Sequence, residues 1–161
     1  MRDNKVKSPL QEFRAAVFKK QSAEERNNLL RCAAQDHAGQ DVVRQIVAAF
    51  DNKNDIDREL IVMAATYGHV GMVESLTEAI PALQAQAYYD RALIAAAVSY
   101  FSDEVNYAAI VRVLIGRGAD ACAFEGHAIS MAQDYHDKTL VLAALMEEKP
   151  SAKATPQKPA P

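Results

Sequence analysis

Two Cys-His pairs are the first residues in this 161-residue chain whose types and spacing could do chemistry. Cys32 and His37, and again Cys122 and His127, stand five residues apart and supply donors that zinc accepts. On a helix, positions i and i+5 point in quite different directions, so neither pair makes a ligand set. His136-Asp137, with Asp134, His127 or His69 as partners, supplies nitrogen and oxygen donors for metal-assisted hydrolysis, but no Asp follows Asp137 to complete such a centre. There is no Gly-rich phosphate loop, no nucleophile elbow and no paired-carboxylate cleft. The residues therefore predict no enzyme, no metal and no cofactor.

The elements that would position these side chains repeat along the chain. Asn28–Ala34, Glu59–Ala65, Ala92–Val98 and His127–Gln133 align at offsets of 31, 33 and 35 residues. Ala33, Ala64, Ala97 and Ala132 share one column, and Leu30, Ile61, Ile94 and Ile129 the column three residues earlier, which puts both on one helical face. Cys32 stands where the other copies carry Met63, Ala96 and Met131, so a buried, inert thiol is expected. A second apolar segment follows each copy, as in Val42-Val43 with Ile46-Val47, Met72-Val73 with Leu76, Ile110-Val111 with Leu114-Ile115, and Leu140-Val141 with Ala144-Leu145. The predicted unit is helix, turn, helix, about 33 residues long, and a period of that size indicates a solenoid in which neighbours cover each other's apolar faces.

The second unit, Ala64-Ala65-Thr66-Tyr67-Gly68-His69 with Val73 and Leu76, resembles the ankyrin repeat. Ile110 to Asp120 in the third is similar to that family's second helix and its Gly-Ala-Asp turn. The likeness covers roughly residues 27–148, without the family's Thr-Pro-Leu-His opening. It implies an all-α, ankyrin-like helical stack with weak or absent β-hairpins. Gly68 and Gly118 suit a chain that turns with positive φ just after a helix. Asp57 and Asp90, 33 residues apart, are placed to cap first helices. Pro81 followed by Ala-rich sequence reads as helix over 79–89, and residues 101–108 read as an insertion between the helices of the third unit. His69 stands where the family's His bonds to the loop backbone.

The resemblance also implies a function. Family members hold protein partners on a concave side built from hairpin tips and first-helix ends. Carried over column by column, the partner-binding positions are Gln35 and Asp36, Thr66 and Tyr67, Ser99 and Tyr100, Asp134 and Tyr135. Tyr at three of these offers stiff, amphipathic area suited to an interface, with acidic neighbours that favour a basic or mixed partner surface; the same rings could instead stack between units and seal the core. The expected function is a monomeric adaptor or regulator that binds another protein, a bacterial effector delivered into a host cell being a version of it. His136-Asp137 is similar to the core of helical metal-dependent phosphohydrolases, and a helical hydrolase using His136 and Asp137 is the alternative.

Charge and composition bound the rest. Residues 21–148 carry nine Lys and Arg against nineteen Asp and Glu, a net −10 that repels phosphate backbones and argues against a nucleic-acid partner. The ends are basic, at +4 over 1–20 and +3 over 149–161. The longest apolar run in the middle of the chain, Ala92–Val98, is seven residues, too short for a membrane span, and no secretory leader pattern follows Met1. Two Cys 90 residues apart read as reduced thiols, and the expected compartment is the cytoplasm. Ser8-Pro9-Leu10-Gln11 and Ser22-Ala23-Glu24-Glu25 have capping-box spacing, and Leu10, Phe13 and Val17 would form an apolar stripe closing the open end of the stack. The expected divisions are a basic capping segment over 1–26, units near 27–57, 58–90, 91–124 and 125–148, and a disordered Lys/Pro tail over 149–161, whose Pro156-Gln157-Lys158-Pro159 matches a proline-rich ligand pattern.

Overall fold

The computed structural model describes residues 14, 16–80, 82–99, 104–134 and 138–147, and the regular structure among them is entirely helical. Helix α1 (Ala23–Gln35) starts at the expected capping box: the Ser22 hydroxyl accepts from the Glu25 N–H and the Glu25 carboxylate accepts from the Ser22 N–H. There follow α2 (Gln40–Ala48), a 3-10 turn at Lys53–Asp55, α3 (Glu59–Thr66), α4 (Val70–Ala79), α5 (Ala82–Val98, kinked at Ala85), α6 (Glu104–Gly116), α7 (Ala123–Asp134) and α8 (Thr139–Met146). No strand occurs among the described residues. The 79–89 region is helical on both sides of Pro81, and α5 runs across the expected unit boundary at 90/91.

The helices form two rows. α1, α3, α5 and α7 pack successively on one another, α2, α4, α6 and α8 do the same, and the rungs α1–α2, α3–α4, α5–α6 and α7–α8 join the rows. Small residues permit the close approach: Ala33, Ala64, Ala97 and Ala132, the column of the repeat, are all buried. Around them Leu30, Val43, Ile46, Leu60, Ile61, Met72, Val73, Leu76, Leu93, Ile110, Val111, Leu114 and Val141 make a continuous core.

Helix ends repeat as well. Ala38 N–H bonds to Ala33 C=O at 3.0 Å, and 31 residues on His69 N–H bonds to Ala64 C=O at 2.9 Å, the six-to-one closure of a helix ending in a left-handed residue. That residue is Gly68 (φ 73°) in the second unit and His37 (φ 50°) in the first. Gly118 (φ 107°) serves the end of α6, where Ala119 N–H reaches Leu114 C=O at 2.9 Å. A different left-handed stretch, Phe124, Glu125 and Gly126 (φ 52°, 61° and 74°), opens α7.

Several expectations are corrected. Cys32 is exposed: α1 is the first helix of its row, and its column position has no earlier helix to cover it. Asp57 does cap, accepting from the Glu59 N–H at 3.0 Å. Asp90 lies inside α5 and instead accepts from the Asp120 N–H at 2.8 Å, pinning the turn before α7. The 101–108 stretch is not a surface insertion throughout, because its last residues open α6 and place Tyr107 and Ala108 in the core. Leu10, Phe13 and the Ser8 box lie outside the described residues, and Val17 is exposed. The stretch 16–19 is helical, Phe18 packs on the core, and buried Arg26 holds it there. Arg26 Nε and Nη2 donate to the Phe18 and Lys19 carbonyls at 2.9 and 3.0 Å, with the guanidinium over the Phe50 ring at 5.4 Å.

Candidate interaction surface

Connections of three or four residues join α1 to α2, α3 to α4 and α7 to α8, so the C-terminal ends of the first-row helices lie at one end of the molecule with the N-terminal ends of the second row. Direct bonds join neighbours along this end. His69 Nε2 donates to the Ala38 carbonyl at 2.7 Å while its Nδ1 accepts from the Met72 N–H at 3.3 Å, which fixes the tautomer and occupies both nitrogens. The His37 ring stacks on it at 5.8 Å. His69 thus bonds to backbone as expected. The Thr66 carbonyl receives the Ser99 hydroxyl at 3.3 Å and the Tyr107 hydroxyl at 3.0 Å. Glu104 accepts from the Leu140 and Val141 N–H groups, so the first turn of α6 caps α8. Glu104→Ala is expected to lower stability by about 1–2 kcal/mol, measured by urea denaturation, with faster hydrogen exchange confined to α8.

The sequence-derived positions separate by role. Gln35, Asp36, Thr66 and Asp134 are exposed at this end. Tyr67 is half-buried and packs partly on the core. Ser99 is buried and belongs to the contact between α3 and α5 rather than to the outer surface. Tyr100 and Tyr135 lie outside the described residues, so the row of three rings is represented by Tyr67 alone. Residues that the repeat columns do not single out also sit here: exposed Asp41 in α2, and Val105 and Leu140, 67% and 44% exposed, in the first turns of α6 and α8. The cation at this end, Lys138, is 4% exposed with its ammonium 5.1 Å from the centre of the Tyr107 ring.

Electrostatically the two ends differ. The ion pairs among the described residues are Arg31–Asp57 (2.6 Å), Arg91–Glu59 (2.6 Å), Arg112–Glu147 (2.8 Å) and Arg117–Glu78 (3.4 Å). Each has a partner at the opposite end, at the start of α3 or near the ends of α4, α6 and α8. None involves Asp36, Asp41 or Asp134. Asp36 caps the C-terminus of α1 and Asp134 ends α7, where the helix dipole already places partial negative charge. No basic residue occupies the last turn of α1, α3, α5 or α7.

The opposite end is knitted by its pairs. Bonding to Arg112 holds the Glu147 carboxyl below its ordinary value of 4.5. A depressed carboxyl pKa contributes stability above the ordinary value and loses it as pH falls through the folded one. α8 is therefore expected to loosen below about pH 4.5, and in Arg112→Gln that pH-dependent part of the exchange in α8 should vanish. Lys53, whose ammonium caps the Val47 and Phe50 carbonyls, is pulled down by burial against the opposing pull of Asp51. It lines a shallow groove with Arg44, Ser75 and Glu78.

Among the described residues no three His, Cys, Asp or Glu side chains converge as a metal site, and His136 and Asp137 lie outside them. Cys122 and His127 are exposed near the start of α7. Among the described residues no helix is long and apolar enough to cross a membrane. No protein-family model, curated protein or solved structure matches this chain.

Proposed function

We propose that the chain is a non-catalytic protein-interaction module, an ankyrin-like stack of about four helix-turn-helix units that acts as an adaptor or regulator. The partner protein is held at the end formed by the first-helix C-termini. The observation that carries this reading is the placement of the ion pairs: every one among the described residues reaches the other end, while Asp36, Asp41 and Asp134 stand exposed at this end outside any ion pair. Asp36 and Asp134, at helix C-termini, do nothing for the fold, whereas Asp41 in the first turn of α2 is favoured by the dipole; all three attract a basic surface. The two rows of helices and the closures 31 residues apart support the ankyrin-like part.

Capture from lysate tests it, with the native chain beside a Tyr67→Ala, Tyr100→Ala, Tyr135→Ala variant and an Asp36→Lys, Asp134→Lys variant, each first checked for helical circular dichroism and melting temperature. A partner retained by the native chain and lost by the folded variants is the expected result. Partners that stay bound to both variants would place recognition elsewhere on the molecule.

A further inference from the structure

We infer that the groove between α2 and α4 binds a small carboxylate with a short aliphatic chain. The groove lies toward the C-terminal ends of these two helices, at the opposite end of the molecule from the proposed partner surface, and its volume is about 240 Å³. Sites for drug-sized ligands run to about 300–1,000 Å³, so this one suits a smaller molecule. One observation brings its polar side chains together: Arg44, Lys53, Ser75 and Glu78 all line it. Val47, Ala48 and Ala79 supply the apolar part of the lining, which an alkyl chain can cover.

Donors are what the groove leaves unanswered. Arg26, Arg31, Arg91, Arg112 and Arg117 each bond to a carbonyl or a carboxylate, whereas Arg44 has no hydrogen bond or ion pair among the described residues. The Lys53 ammonium gives two of its three N–H groups to the Val47 and Phe50 carbonyls and keeps one. Burial pulls this ammonium below its ordinary value, Asp51 opposes the pull and Arg26 adds to it, so a further negative charge beside it would be favourable. The acceptors, by contrast, are already served from within the protein. Glu78 pairs with Arg117, Lys53 covers the carbonyls at the end of α2, and the Tyr89 hydroxyl donates to the Thr77 and Ile80 carbonyls at the end of α4. Ser75 spends its proton on the Gly71 carbonyl. What remains is the planar fork of Arg44, which matches the two oxygens of a carboxylate, with one ammonium N–H to assist it.

Sodium butyrate is the probe, titrated into the isotope-labelled full chain against sodium chloride at constant ionic strength and, separately, against sodium phosphate, with amide chemical shifts as the readout. Butyrate should give saturable shifts confined to residues 44–53 and 75–79, with a Kd of about 1–10 mM, and phosphate should bind more weakly. Arg44→Gln alters an exposed side chain that holds nothing in the fold, so the melting temperature should stay the same while butyrate binds about tenfold more weakly. Arg14→Gln, exposed elsewhere, should leave binding as it is. Shifts that chloride reproduces would overturn the site, as would saturation that survives Arg44→Gln. Phosphate held as tightly as butyrate would overturn the assignment to a carboxylate with an alkyl chain. The Arg44→Gln variant should still capture the lysate partner, so this site and the interaction module stand or fall separately.

Discussion

Replacing Gly68 by Ala is expected to lower stability by about 2–3 kcal/mol. Two effects add at this position. Gly68 has φ 73°, where a Cβ meets its own backbone. The new methyl would also stand 3.2 Å from the Tyr107 hydroxyl and 3.3 Å from its ring carbon Cζ. That ring is buried and anchored, its hydroxyl donating to the Thr66 carbonyl, so it cannot yield without breaking the bond between α3 and α6. Gly116 is the control: a Cβ there meets nothing within 4 Å and the backbone is not left-handed. Gly116→Ala should be neutral or up to about 1 kcal/mol stabilising. Urea denaturation of the two variants separates the outcomes, and equal midpoints would mean that the α3–α4 turn is not pinned as described.

The second large effect concerns where a cavity is made. Leu60 is fully buried in α3, which packs on α1, α4 and α5. Leu60→Ala is expected to cost about 3–4 kcal/mol and to be felt throughout the molecule. Leu145 is nearly as buried but lies in α8, which packs only on α6 and α7 among its principal neighbours. Leu145→Ala should cost about 2–3 kcal/mol, with lost hydrogen-exchange protection confined to α7 and α8 while α1–α4 keep theirs. That asymmetry is the signature of a structure whose units contact only their neighbours. Uniform loss of protection in the Leu145 variant would show a single cooperative block instead.

Much of this fold is legible in the residues because the determinants are local. The Ala column, the Ser22–Glu25 box, the cap at Asp57 and the turns at Gly68 and Gly118 depend on neighbours within a few positions, and spacing reveals them. His37 is different: it occupies the Gly68 position with a left-handed backbone, so the first turn has the right geometry without its signal residue. Cys32 departs from its column because a column position is buried only with a neighbour on both sides, which the first helix of a row lacks. Tyr107 reads as part of an insertion until the fold carries its hydroxyl back to Thr66, 41 residues away. The candidate surface is half legible. Asp36, Thr66 and Asp134 follow from the columns, whereas buried Ser99 shares their spacing but not their exposure. The placement of the ion pairs is invisible in sequence, since they join residues 26 to 39 positions apart.

Those same separations bear on how the chain reaches its structure. The side-chain bonds that join one unit to the next span 26 to 41 residues of a 161-residue chain. Closing loops of that length costs only modestly more than closing shorter ones, because the entropy grows with the logarithm of length. Contacts this near in sequence favour rapid folding without a long search. A chain emerging from the ribosome can therefore dock α1 and α2 against α3 and α4 before the residues of α7 and α8 have been synthesised.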